Sequence, residues 1–230
     1  MSAKKVPSLV FQERIKLIKN EFKELCNNTL DITRKSLCLI ENYDEKVVEE
    51  IQEKNKEIAV LGYELERKCI RFIAVEQPLA SDLMYIESSI RVISHVKRIS
   101  HLSLNIAESS KELVGIEVPT KVLDDLQYMA DYVQIMLSKG VRSFLNQDIV
   151  MAKELSDDDN KVDDLFDIIL KQTTDLVAEK TDYALGIINL LFIARYLERI
   201  ADRVVSMGSR IIFIKTHERP EIENLKDEID

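Results

Sequence analysis

Two pairs of carboxylates, each pair spaced four residues apart, are the side chains of this sequence best suited to chemistry. Glu198 and Asp202, in the run Glu198-Arg199-Ile200-Ala201-Asp202, repeat the spacing of Asp159 and Asp163 in the acidic block that opens at Asp157. On a helix, residues i and i+4 lie one turn apart on the same face. Two such pairs meeting across a helix seam would converge four negative charges, which repel one another unless a cation or bound water intervenes. The pattern therefore predicts a metal site built from Asp159, Asp163, Glu198 and Asp202. Its all-oxygen donor set suits iron, manganese, magnesium or calcium, with zinc a further divalent candidate. The competing reading is a solvated face on which these acids pair locally with Arg199 and Arg203, each pair contributing a few tenths of a kcal/mol. Asp157 and Asp158 read as negative charge near a helix N-terminus, where the dipole favours it.

The elements that must position these groups are long helices. Only five Gly and four Pro interrupt a chain dominated by strong helix formers. Apolar periodicity and the breakers outline helices from Val10 to about Glu41, Asp44 to about Glu76, Leu79 to about Leu113, Thr120 to about Asn146, Asp148 to about Thr174, and Thr181 to about Ile214. Pro78 reads as a helix-start residue, and Lys139-Gly140 as a place where the fourth helix could bend. The run Val114-Gly115-Ile116-Glu117-Val118-Pro119 supplies a Gly stop and a Pro restart, dividing the chain into units 1–117 and 118–230. The last ten or so residues read as frayed. In the final helix Ile187, Leu190, Ala194, Leu197, Ala201, Val204, Gly208 and Ile211 form a bundle seam, whose small members admit a close neighbour. Glu198 and Asp202 each follow a seam residue by one position, at the flank of the stripe.

Composition limits the function. With 46% apolar and 32% charged residues, the 230-residue chain is an ordinary globular sequence, and its absent Trp points to an aliphatic helix-bundle core. The net charge of −9 argues against DNA and anionic membranes as partners. No window reaches the roughly 20 apolar residues of a membrane span, and Met1-Ser2-Ala3-Lys4-Lys5 has no apolar signal core behind it. A cytoplasmic protein is expected. Cys26, Cys38 and Cys69 have no paired short spacing and read as buried, inert thiols. His95, His101 and His217 read as isolated histidines.

The two halves are related. Sliding the third helix onto the sixth lays Val96-Lys97-Arg98-Ile99-Ser100-His101 over Leu197-Glu198-Arg199-Ile200-Ala201-Asp202. Sliding the second onto the fifth puts Asn55 and Ala59 where Asp159 and Asp163 stand. A tandem repeat of three-helix units explains both matches. The first copy then carries Asn55, Ala59, Lys97 and His101 at the carboxylate positions, which predicts a lost metal site and leaves Lys97 and Arg98 as charged contacts.

Tandem three-helix units, Gln77-Pro78 followed by Ala80, Asp82 and Leu83, the Asp159-Val162-Asp163-Leu165 pattern and the Glu198–Asp202 run together resemble the PhoU family along nearly the whole chain. The resemblance implies an all-α fold of two three-helix bundles. It further implies a cytoplasmic regulator of phosphate uptake that works with a phosphate ABC transporter and a sensor histidine kinase. It also implies that Asp159, Asp163, Glu198 and Asp202 match the family's metal positions. Departures are Lys97 and His101 in the first unit, Met84 where the family often has Arg, and Ser206 where it often has Asn.

Other classes remain to be weighed: a generic helical scaffold or homodimer without metal, and a PhoU-like module serving another transporter. Enzyme readings fare worse. No GxxxxGK loop is present, and the Ser-His dipeptides at 94–95 and 100–101 cannot face one another on a helix. A ferritin-like di-iron enzyme needs His three residues after a ligand Glu, whereas Ala201 follows Glu198 at that spacing. No catalysis is expected.

Overall fold

The computed structural model describes residues 9–79, 81–116, 118–179 and 184–217. Six α-helices account for nearly all of them: α1 (Leu9–Cys38), α2 (Glu45–Glu76), α3 (Ser81–Ser109), α4 (Thr120–Asn146), α5 (Ile149–Glu179) and α6 (Ala184–Thr216), with one 3-10 turn, Ser110–Leu113, after α3. No strand occurs among the described residues, and no helix there is long and apolar enough to cross a membrane. The terminal lysines Lys4 and Lys5 and the frayed tail expected after about residue 220 lie outside the described residues.

Each helix starts and stops for a local reason. Asp44 caps α2 by accepting a hydrogen bond from the Lys46 amide at 2.9 Å. Asp148 caps α5 through the Val150 and Met151 amides at 3.0 and 3.1 Å. Gln77 and Gln147 end α2 and α4 in the left-handed conformation, with φ of 47° and 53°. That conformation usually selects Gly, so these two ends carry no glycine signal. Pro78 follows the α2 stop, and α3 begins only at Ser81; the proline therefore ends one helix instead of opening the next. Gly115, at φ 79°, makes the turn between the units, and the Pro119 carbonyl accepts the first amides of α4. α4 runs unbroken through Gly140, whose missing side chain leaves room for Val204 of α6.

The first three helices pack on one another, as do the last three. α3 runs antiparallel along α6, and α1 meets α4. The α3–α6 register is marked by His217 Nδ1 at 2.8 Å from Met84 Sδ and Arg210 at 3.9 Å from Glu87. Phe144 of α4 sits between Phe22 of α1 and Tyr85 of α3, with ring centroids 5.0 and 5.7 Å away, joining the units through one apolar core. Cys26 and Cys69 are buried in that core, where burial pushes both thiols up, Cys69 to about 12. Cys38 is exposed, contrary to the reading of three buried thiols, because it closes α1 on the solvent side.

Candidate functional site: the acidic seam between α5 and α6

α5 and α6 approach closely because Gly208 and Ala152 face one another. A Cβ placed on Gly208 would stand 3.0 Å from the Ala152 carbonyl oxygen and 2.9 Å from Leu155 Cδ1. Val162 on α5 and Leu197 and Ala201 on α6 are fully buried in this seam. Asp159 and Asp163 straddle Val162 by −3 and +1, while Glu198 and Asp202 each follow a buried α6 residue. Regular helical spacing thus carries all four acids onto one edge of the same interface.

Burial and mutual repulsion act on them together. Burial and the negative charges of Asp163, Asp202 and Glu198 push Asp159 up to about 7. Burial and the charges of Asp202 and Asp163 likewise push Glu198 up to about 7, against the opposing pull of Arg195 and Arg199. Asp163 is raised by burial and by Asp202, Asp167 and Asp164. Asp159 Oδ1 and Glu198 Oε2 are buried without a hydrogen-bond partner. Leaving such oxygens unpaired costs about 1–3 kcal/mol each, more when charged.

The acids are only partly compensated. Arg195 donates to Glu198 Oε1 at 2.5 Å, and its guanidinium lies 5.8 Å from the Phe166 ring centroid, so this arginine bridges both helices. Sequence spacing pointed to Arg199 and Arg203 as local partners; the ion pair is made one turn earlier. Asp163 and Asp202 are exposed. Among the described residues, no three His, Cys, Asp or Glu side chains already stand together as metal ligands. The structure therefore gathers the four predicted acids on one seam without drawing them into a ligand shell. The donor chemistry nevertheless fits a hard cation: a buried, unpartnered carboxylate oxygen comes from each of the two helices, and Asp163 and Asp202 are oxygen donors one turn away on the same faces.

Asp157 and Asp158 do not lie near a helix N-terminus, since α5 begins at Ile149. Asp158 instead accepts hydrogen bonds from Tyr132 Oη and Lys139 Nζ, both at 2.8 Å, and Lys139 also reaches Glu154 at 2.7 Å. These α4 groups hold Asp158 below the usual carboxylate range despite its partial burial. Sequence reasoning missed this network because its partners come from a different helix.

The matching positions of the first unit are built differently. Ser100 Oγ donates to Asn55 Oδ1 at 2.6 Å, and Lys97 Nζ pairs with Glu66 Oε1 at 2.8 Å. Gly62 makes room for Lys97: a Cβ there would fall 2.6 Å from Lys97 Cδ. Lys97 is thus committed to Glu66 instead of standing open as a charged contact. Arg98 and His101 are exposed, and His101 has neither hydrogen bond nor ion pair among the described residues.

The family model described as the PhoU domain matches this chain twice, over residues 22–110 and 126–211, once in each helix trio. A phosphate-specific transport system accessory protein PhoU homolog 1 from Methanothermobacter thermautotrophicus is 44% identical over 217 residues, covering 94% of this chain and 99% of the relative. An Aquifex aeolicus protein described as a phosphate-specific transport system accessory protein PhoU homolog is 29% identical, covering 90% of this chain and 97% of its own length. Among solved structures, PhoU from Pseudomonas aeruginosa superposes with a TM-score of 0.86 at 18% identity, over 90% of this chain and all of that one. The phosphate transport system regulatory protein PhoU from Streptococcus pneumoniae gives 0.84 at 21% identity, over 92% of this chain and all of that one.

Proposed function

The chain belongs to the PhoU family, and on that premise we propose that it is an accessory protein of phosphate uptake, a regulator that acts by docking and not by catalysis. The observation that carries this reading is the end-to-end likeness to the Methanothermobacter accessory protein. Its clients on this reading are subunits of a phosphate ABC transporter and a sensor histidine kinase, met from the cytoplasmic side. Purifying the chain from its native host at high and low phosphate tests the assignment. Phosphate-transporter subunits should co-purify in amounts that change with phosphate. Recovery of another transport system in their place would move the module to a different client.

The finer part of the proposal concerns the second unit. Asp159, Asp163, Glu198 and Asp202 would hold a divalent or trivalent cation, whose charge offsets their mutual repulsion and fixes α5 against α6. What supports this is the pair of buried carboxylate oxygens left without partners. The chain's own residues supply the rest: Arg195 orients Glu198, and the Gly208–Ala152 contact sets the separation of the helices. Replacing Asp163 and Asp202 by Ala and measuring bound metal by elemental analysis tests it. Metal content equal to that of the unaltered protein would reject the site.

A further inference from the structure

α2 packs on α1 and α3 with one face, buried at Ile51, Ile58, Leu65, Cys69 and Phe72. The opposite face of a helix so placed looks into solvent, where charged and polar residues belong. On α2 that face instead carries Val60, Tyr63 and Ile70, exposed by 60, 60 and 58%, with the exposed Ala74 one turn further on. Together with Arg67 they fall at 60, 63, 67, 70 and 74, the alternating steps of three and four residues that make a coiled-coil seam. At 1.5 Å per residue the stripe is about 21 Å long.

The repeat supplies an internal control. The alignment that lays Asn55 and Ala59 over Asp159 and Asp163 also lays Val60, Tyr63 and Ile70 over Asp164, Asp167 and Thr174. The buried residues correspond as well, Ile58, Leu65 and Phe72 with Val162, Ile169 and Leu176. Asp164, Asp167 and Thr174 are exposed, so the three-helix unit is built in its second copy with polar residues at these outward positions. Packing within the unit therefore does not account for the apolar row on α2. A contiguous exposed row, unlike scattered single residues, marks a contact surface.

Charge on the same face says what covers it. Toward the N-terminal end of the stripe, Glu53, Glu57 and Glu64 rim, with Lys56, a shallow groove of about 350 Å³ that reaches Val60. Toward the other end stand Arg67 and Arg71. Glu64, Arg67 and Arg71 are exposed and have no hydrogen bond or ion pair among the described residues. A second α2 laid antiparallel sets its basic end over this acidic end, and the two-fold axis makes the same contact twice. A parallel arrangement would oppose acid to acid and base to base. The face also balances Glu53, Glu57 and Glu64 against Lys56, Arg67 and Arg71, so two chains of net charge −9 can meet here without like charge on like.

We propose that the outer face of α2 is a two-fold interface with α2 of a second copy of this chain, the two helices running antiparallel. Val60 and Tyr63 of each copy meet Ile70 and Ala74 of the other, and Glu57 and Glu64 face Arg67 and Arg71. The interface lies on a different helix from the acidic seam. It is also independent of the docking reading, because it concerns the chain alone in solution.

Sedimentation velocity of the full chain, in buffer containing EDTA so that no metal bridges two copies, reads the interface directly. A dimer that dissociates on dilution is expected. Val60→Asp, Tyr63→Asp and Ile70→Thr together give α2 the residues that α5 carries at these places, and should weaken dimerisation about a hundredfold or more. Glu64→Arg should weaken it about tenfold, and adding Arg71→Glu should restore it by re-forming the contact with its signs exchanged. Melting curves establish first that each variant is folded, and the charge variants leave the apolar stripe untouched. A chain still monomeric at about 50 μM, weaker than interfaces of ordinary size, overturns the proposal. So does a dimer that the triple substitution leaves intact, or one that the paired charge exchange fails to restore. A monomer that loses phosphate-transporter subunits from the native-host purification when the stripe is replaced would give this face to another protein, and equally overturns it. Loss of the dimer with those subunits still recovered supports the interface and leaves the docking reading standing.

Discussion

The α2–α3 seam of the first unit and the α5–α6 seam of the second occupy equivalent places in a repeated fold, yet they solve their electrostatics in opposite ways. In the first, Lys97 pairs with Glu66 and Asn55 with Ser100, while His101 stands exposed. In the second, the equivalent positions hold four acids, one arginine answers Glu198, and two buried oxygens have no partner. The first seam answers its charge at Lys97 internally. The second retains an imbalance that a ligand could remove. Across the repeat, Asn55, Ala59, Lys97 and His101 stand where the second unit has Asp159, Asp163, Glu198 and Asp202.

Backbone contact separates the seams most sharply. Gly208→Ala sets a methyl against the Ala152 carbonyl, which cannot yield, and should cost about 1–3 kcal/mol. For a chain of this length that is a fall of about 2–12 °C in Tm by calorimetry. Gly62→Ala clashes with the flexible stem of Lys97 and touches Ile93 at an ordinary contact distance. There the better helix propensity of Ala, about 1 kcal/mol, roughly cancels the displaced ion pair, so Tm should stay within about 2 °C. Equal losses at the two glycines would erase the distinction.

The pH dependence of stability comes next. Asp159 and Glu198 have native pKa values raised to about 7, so the folded chain binds their protons more tightly than the unfolded one. Stability from these groups is therefore fully present below pH 4 and is lost as pH rises from about 4 to 7. Discounted for partial exposure, the loss should be on the order of 1–2 kcal/mol in metal-free buffer. Asp159→Asn should flatten that slope in urea titrations from about pH 4 to pH 7. A chain that instead gains stability over this range, with the same slope in the variant, would mean the carboxylates do not share a field.

A smaller effect concerns the arm that compensates Asp158. Tyr132→Phe removes one hydrogen bond while Lys139 remains, so a loss of about 0.5–1.5 kcal/mol is expected. The least effect is expected from His101→Ala, an exposed residue at the position equivalent to Asp202: within about 0.5 kcal/mol of the unaltered chain, with no change in bound metal. A larger loss of stability in His101→Ala, or a change in its bound metal, would show that this position still acts as its Asp202 counterpart does.

Much of this was legible in the sequence, for identifiable reasons. Periodicity placed all six helices and fixed α4 at Thr120–Asn146, since long amphipathic runs with few Gly and Pro leave little choice. The sharing of one seam by Asp159, Asp163, Glu198 and Asp202 followed from i, i+4 spacing on adjacent helices. What could not be read were partners from distant helices. Glu66 beside Lys97, and Tyr132 and Lys139 beside Asp158, depend on helix rotation that periodicity leaves open by a residue. The Gln77 and Gln147 ends were hidden because a left-handed residue other than Gly carries no local signal.

The most direct test of the central contrast is the rise in Tm produced by manganese at pH 7.5, compared between the unaltered chain and Asp159→Asn. A seam with two unpartnered buried carboxylate oxygens predicts a rise of several degrees in the first, growing with the logarithm of metal concentration, and little or none in the second. Equal rises in both chains, or none in either, would contradict the account.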